Sequence, residues 1–141
     1  MENQEKYNNL SRLVEKLQKS EDPKRKYEYI LWLGKKLKEP DRKILVEENK
    51  VKGCVSEVFV KANIKDGKLS WEGYSDALIT KGLLAFLINA LNDLTPNEVV
   101  KIDKRFIEDT GLKASLTPSR SNGFLNILLK MQSQANDFLL V

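Results

Sequence analysis

The sequence holds one cysteine, and the residues around it suit sulfur chemistry. In the stretch Asn49-Lys50-Val51-Lys52-Gly53-Cys54-Val55-Ser56-Glu57-Val58-Phe59, a polar loop runs into an alternating apolar pattern, and the thiol stands at the join. Thiolate is the reactive form of cysteine, and neighbouring cations favour it. Lys50 and Lys52 supply positive charge, while Gly53 lets the backbone turn sharply just before the thiol. Cysteine is equally a small apolar residue that cores bury readily, so this stretch taken alone fits both a reactive loop-tip thiol and a structural one.

Three other charged positions stand out, two of them where a helix or a core would not ask for charge. Arg120 falls in the first turn of an expected helix, where the macrodipole disfavours a cation. With Ser119, Ser121 and Gly123 it forms an anion-receiving amino terminus, or else a solvated arginine beside capping serines. Asp76 reads as a first-turn carboxylate that complements a helix dipole, with acid/base work as the other reading. Lys81, inside an apolar helix, must pair or reach solvent along its stem. Trp32 and Trp71 are expected in the core or at its edge.

Much chemistry is excluded by what the chain lacks. With no histidine, Ser/His/Asp, Cys/His and histidine–zinc catalysis are ruled out. A single cysteine rules out an intramolecular disulfide, a CxxC redox pair and a cysteine-rich zinc or cluster site built by one chain. There is no Walker loop, GxGxxG motif or metal-ligand cluster, so no bound cofactor or metal is expected. The net charge of +4 is dispersed among carboxylates rather than gathered in a tract, which gives nucleic-acid binding no support and suits steering towards an acidic protein partner. The amino-terminal residues Met1 to Lys6 are polar with no apolar signal segment, and the longest apolar run, Gly82 to Ala90, is too short to span a bilayer. A cytoplasmic protein with a reduced thiol and no membrane association is the expectation.

The elements that must position these residues follow from periodicity. The 141 residues suit one domain. Leu10, Leu13, Val14 and Leu17 predict a first, loosely attached helix over residues 8–19. Asp22-Pro23 opens a second helix that ends at Pro40, in which Gly34 would allow another backbone close approach. A charged connector, residues 41–52, leads to a strand beginning at Cys54, with Ser56, Val58, Val60 and Ala62 on one face. Asp66-Gly67 is a type I′ hairpin signal, and residues 68–74 return as the partner strand with Leu69 and Trp71 on one face. Ser75-Asp76 starts a third helix, apolar nearly all round from Ala77 to Leu91. Thr95-Pro96-Asn97-Glu98 matches a capping box for a fourth helix over about 96–109, with Gly111 beyond its end. Thr117-Pro118 opens a fifth through about Ala135, followed by a frayed tail over 136–141. The order predicts an α+β fold in which helices cover a small antiparallel sheet, with the cysteine at the sheet's mouth.

Taken together, several segments resemble the SufE family: Lys26-Tyr27-Glu28-Tyr29-Ile30 with Leu33-Gly34, the Gly53-Cys54 stretch from Val51 to Phe59, Gly73-Tyr74-Ser75-Asp76-Ala77 with Lys81-Gly82-Leu83, and Leu116-Thr117-Pro118-Ser119-Arg120-Ser121-Asn122-Gly123. The resemblance covers about residues 10–135 of a single domain. It implies an α+β fold shared with IscU-type scaffolds, and a sulfur acceptor that stimulates a pyridoxal-phosphate-dependent cysteine desulfurase of the SufS type. Such an acceptor hands the sulfur to the SufBCD scaffold in iron–sulfur cluster assembly, as a carrier rather than an enzyme, and itself needs no cofactor. By the resemblance, Cys54 is the persulfide acceptor, Arg120 a thiolate or partner contact, and Asp76 a residue that positions the loop or the partner. Val55 and Phe59 depart from the family's usual polar residue and tryptophan, which bears on partner affinity.

The chemistry of these residues agrees with that implication. Transfer of a persulfide is the analogue of thiol–disulfide exchange and needs one acceptor thiol. Positive charge from Lys52 or Arg120 would favour ionisation of Cys54, and a shielded resting position would protect a bound persulfide. Other readings are a redox-sensing thiol protein, a CsdE-like acceptor for a different desulfurase, and a structural interaction module. Either a monomer or a dimer is compatible with the sequence.

Overall fold

A computed structural model describes residues 8–140. The polar segment Met1 to Lys6 and the terminal Val141 of the expected tail lie outside the described residues. Among the described residues the elements run α1 (Asn8–Gln18), α2 (Pro23–Lys36), β1 (Val58–Lys65), β2 (Lys68–Ser75), α3 (Leu78–Leu91), α4 (Pro96–Val100), α5 (Phe106–Asp109) and α6 (Pro118–Leu139), with 3₁₀ turns at Arg42–Ile44, Glu47–Asn49 and Leu112–Ala114. This is the expected α+β fold.

The two strands pair antiparallel in the register Val58↔Ser75 to Lys65↔Lys68. Asp66 and Gly67 both have positive φ (54° and 77°), as a type I′ turn requires. Val58, Val60 and Ala62 face the core with Leu69 and Trp71, while Phe59 and Tyr74 meet on the outer face with ring centroids 6.3 Å apart. Both edges are partly covered. Gln134 of α6 gives its amide to the Val60 carbonyl (2.7 Å) and accepts from the Ala62 N–H (2.8 Å), so one side chain takes the place of a strand. On the other edge, the Leu69 N–H donates to the Leu94 carbonyl (2.8 Å) and the Asp93 N–H to the Leu69 carbonyl (2.9 Å).

Helix α3 is the centre of the molecule, burying residues on every side, as its nearly uniform apolar sequence predicts. It crosses α2 at Gly34 and Gly82. A side chain added at Gly34 would begin 2.8 Å from the Gly82 nitrogen, and one at Gly82 would run into the Ile30 carbonyl. Lys81 resolves its position by pairing with Glu39 at 3.6 Å. Trp71 is buried, its indole N–H donating to the Leu91 carbonyl at 3.4 Å. Trp32 lies on the surface, 46% exposed, stacked on Tyr29 and covered by Lys36.

Four expectations are corrected. Helix α1 is not loose: Val14 and Leu17 are buried in the shared core. The single helix expected over 96–109 is two, because Asp103 interrupts it. Its carboxylate accepts from the Arg105 N–H (2.9 Å) and its carbonyl from the Phe106 N–H (3.3 Å), a local turn that competes with the helix. Gln132 of α6 then donates to the carbonyls of Val99 (3.2 Å) and Ile102 (2.9 Å) at the break. The capping box itself forms, with Thr95 and Glu98 exchanging hydrogen bonds, and Gly111 adopts the left-handed conformation (φ 70°) just past α5. The fraying expected from residue 136 does not occur up to Leu139: α6 continues because Ala135 is buried and Phe138 packs against the core. Finally, β1 begins at Val58 rather than at Cys54, which leaves the thiol in a loop.

Candidate functional site

The loop that carries Cys54 is held from both sides. Before it, the 3₁₀ turns tuck Ile44 into the core, and the Val51 N–H donates to the Val58 carbonyl at 2.8 Å. Gly53 then takes a positive φ of 81°, open to glycine and strained for other residues. Helix α6 fixes this corner along one face. Gly123 lies beneath the thiol, Asn126 donates to the Gly53 carbonyl (3.1 Å), and Lys130 donates to the Glu48 carbonyl (2.7 Å). Beyond the thiol, Ser56 and Thr80 share a hydrogen bond of 3.0 Å between their hydroxyls. The Asp76 carboxylate accepts the Glu57 N–H at 3.0 Å while the Asp76 N–H donates to the Glu57 carbonyl at 3.3 Å.

That last pair corrects the reading of Asp76 as a first-turn partner of the helix dipole. Helix α3 starts later, at Leu78, after an Ala77 cap with no side-chain bond, and Ser75 belongs to β2. Asp76 acts on the loop, where an unpaired Glu57 amide competes more strongly for its carboxylate than the helix end does.

The Cys54 sulfur is half-buried against α6. It lies 3.4 Å from the point where a Gly123 side chain would begin, and its S–H points at the Gly123 carbonyl, 3.8 Å away. Burial pushes the thiol pKa up from its ordinary value. The half-burial accords with the expected shielded resting position, and withdrawal from solvent rather than the neighbouring lysines sets the direction of the shift. Lys52 is exposed and does not line the cavity. The thiol opens instead onto a cavity of about 460 Å³ whose walls include Asp76, Thr80, Ser119, Arg120 and Gly123.

Arg120 is exposed in the first turn of α6, as its sequence position predicts. Its backbone N–H donates to the Thr117 cap hydroxyl (3.4 Å), and its side chain shares the cavity with the thiol. The structure therefore brings Cys54, Asp76 and Arg120 to one opening from three separate parts of the chain. Ser121, expected beside Arg120 in an anion site, faces a different cavity on the other side of the helix. At the opening, Val55 is 89% exposed and Leu78, next to the cavity-lining Ala77, is 71% exposed. Exposed Val55 thus lines the opening beside the thiol.

Sequence reasoning missed Asn126 and Lys130. Their spacing from Gly123, three and seven residues, puts all three on one helical face, which was the available signal. Among the described residues no cluster of three or more histidine, cysteine or acidic side chains is arranged to hold a metal, and no helix is long and apolar enough to cross a membrane.

This architecture is shared. The solution structure of a hypothetical protein from Thermus thermophilus superposes with a TM-score of 0.81 at 24% identity, covering 94% of this chain and 97% of that one, which establishes likeness of fold. An uncharacterized SufE-like protein of Synechocystis is 51% identical over 132 residues, 94% of this chain and 83% of its own length. The SufE-like protein 1, chloroplastic/mitochondrial, of Arabidopsis thaliana is 40% identical over 89% of this chain but only 34% of that protein. The cysteine desulfuration protein SufE of Plasmodium vivax is 38% identical over 79% of this chain and 46% of its own length. Residues 11–135 match the SufE family, described as an Fe–S metabolism associated domain, and the chain belongs to that family.

Proposed function

We propose that this protein is a sulfur acceptor for a cysteine desulfurase, with Cys54 carrying the sulfur as a persulfide. The observation that supports this most directly is the thiol's position: half-buried at the wall of an open cavity, with Arg120, Asp76 and the exposed Val55 at the same opening. A partner can reach the sulfur there, and bulk reagents reach it less easily.

The transfer is an exchange at sulfur. The Cys54 thiolate attacks the outer sulfur of the donor's cysteine persulfide, a new S–S bond forms on Cys54, the donor's S–S bond breaks, and the donor cysteine leaves as thiolate. Nothing is oxidised or reduced overall. Docking must supply the ionised form, since burial opposes it at rest. Arg120, at the shared cavity, is the cation able to stabilise the departing or arriving sulfur anion. Asp76 holds the loop through the Glu57 amide, and release of that bond would let the thiol extend towards the donor.

In this reading the donor is a SufS-type desulfurase, which brings the pyridoxal phosphate, and the recipient is the SufBCD scaffold in a reducing, cytoplasmic setting. The protein acts as a carrier and stimulator and needs no cofactor of its own.

The test is incubation with a desulfurase and cysteine, followed by mass spectrometry. Wild-type protein should gain about 32 daltons at Cys54 and stimulate turnover. Cys54→Ser should do neither. No mass gain with an actively turning-over donor overturns the carrier role, and full stimulation by Cys54→Ser makes the protein an allosteric module instead.

A further inference from the structure

The corner just before the thiol cannot hold itself in place. Gly53 sits at a φ of 81°, and glycine has the widest backbone freedom of any residue, so the direction in which the chain leaves towards Cys54 needs a restraint from outside. Asn126 of α6 supplies one. Its side-chain amide donates to the Gly53 carbonyl at 3.1 Å and packs so close that a side chain built on Gly53 would begin 2.5 Å from the amide nitrogen.

The bridge between Lys50 and Phe59 and the bond from the Val51 N–H to the Val58 carbonyl (2.8 Å) form a stem, which ties off residues 52–57 as a closed loop around the thiol. Beyond the thiol, this loop is held to the α3 side, Ser56 by Thr80 and Glu57 by Asp76. Before the thiol it is held to α6 by Asn126, and between the two attachments the sulfur rests against Gly123. Lys130, one turn further along the same face of α6, makes a bond of the same kind to the Glu48 carbonyl at 2.7 Å. Glu48, however, lies outside the stem. The helix thus carries one strap inside the thiol's loop and one beyond it.

We propose that Asn126 is a positioning residue for Cys54: its bond to Gly53 keeps the sulfur seated at Gly123, and a docking partner must displace that bond to draw the sulfur out. Asn126 does not touch the reacting atoms. Its effect on exposure is that of one hydrogen bond, a factor of about three to ten in the balance between the seated and the released loop. The role in transfer rests on the sulfur-acceptor reading, whereas control of the thiol's exposure does not.

The test is iodoacetamide labelling of Cys54 in the protein, read by intact mass. Asn126→Ala should label about threefold faster than wild type or more. Asn126→Asp, which keeps the shape and loses the donor, should label at least as fast as Asn126→Ala. Lys130→Met, which cuts the strap outside the stem, should label at the wild-type rate. In a desulfurase assay, the concentration of Asn126→Ala that gives half-maximal stimulation should fall about threefold while the maximal rate is unchanged, because docking no longer has to break the strap. The proposal is overturned if either Asn126 variant labels at the wild-type rate, if Lys130→Met quickens labelling as much as Asn126→Ala, or if half-maximal stimulation by Asn126→Ala needs more protein than wild type. Faster labelling of Asn126→Ala in a protein that takes no sulfur from the donor upholds the strap and removes only the acceptor reading.

Discussion

The sulfur of Cys54 sits directly over Gly123: a β-carbon built on that glycine would lie 3.4 Å from it, already in contact, so any longer side chain would crowd the thiol. The contact joins the loop to α6 between residues 69 apart in the chain, and the S–H points at the Gly123 carbonyl, 3.8 Å away. The glycine of the Ser-Asn-Gly segment is thus a seat for the thiol. Gly123→Leu should evict the sulfur into the cavity, and iodoacetamide labelling of Cys54, followed by intact mass, should quicken several-fold while the fold is retained. Unchanged labelling would show that the seat does not control access.

The pH dependence of labelling follows from burial. The folded state holds the Cys54 proton more tightly than the unfolded chain does, so the raised pKa contributes stability that is complete below the unfolded cysteine pKa and is lost as pH rises through the higher folded value. Labelling of the native protein should therefore have its midpoint above that of the urea-unfolded protein. The stability difference between wild type and Cys54→Ser should narrow or reverse only in the alkaline range. A native midpoint below the unfolded one would show that a cation, not burial, governs the thiol.

Asp76 tests the latch on the same loop. Asp76→Ala removes the acceptor of the Glu57 N–H, and a bond at this exposed position is worth about 1 kcal/mol. Global stability should fall by about that much, and hydrogen exchange at Glu57 should accelerate more than exchange in the α3 core. If the two accelerate equally, Asp76 supports the whole fold rather than the loop.

Arg120 separates chemistry from folding. Because its side chain is exposed and shares only the cavity, Arg120→Ala should leave chemical denaturation within about 0.5 kcal/mol of wild type. Sulfur transfer from a desulfurase should nevertheless slow at least tenfold. Equal transfer rates would remove Arg120 from the site.

The α2–α3 crossing tests packing. Gly82→Ala puts a methyl into the Ile30 carbonyl, and overpacking of this kind costs about 3 kcal/mol. Gly67→Ala, at a hairpin tip with open space around it but φ of 77°, should cost only about 1 kcal/mol, from backbone strain. Urea denaturation of both variants gives the comparison.

Local rules made much of this protein readable in advance. Alternation in β1, the Asp66-Gly67 turn, the Thr95 capping box and the Thr117-Pro118 helix start each depend on residues within a few positions of one another, and each is present. The close approach allowed by Gly34 was also legible, since absence of a side chain is a local property with one common use. Cys54 and Arg120 drew attention by residue type and by resemblance to a family.

What the chain alone left undecided depends on partners distant in sequence. Asp76 serves the Glu57 amide because the strand pair brings the two together, 19 residues apart. The break after α4 is sustained by Gln132, 33 and 30 residues on from the carbonyls it caps, and α6 outruns its expected end because the core extends beneath it. Lysines next to Cys54 in sequence suggested an ionised thiol, yet the resting sulfur turns into the groove at Gly123, where loss of water outweighs charges that face solvent. Residue type and spacing determined which groups were available for chemistry. Tertiary packing decided their exposure and protonation, because both depend on what surrounds a group in space.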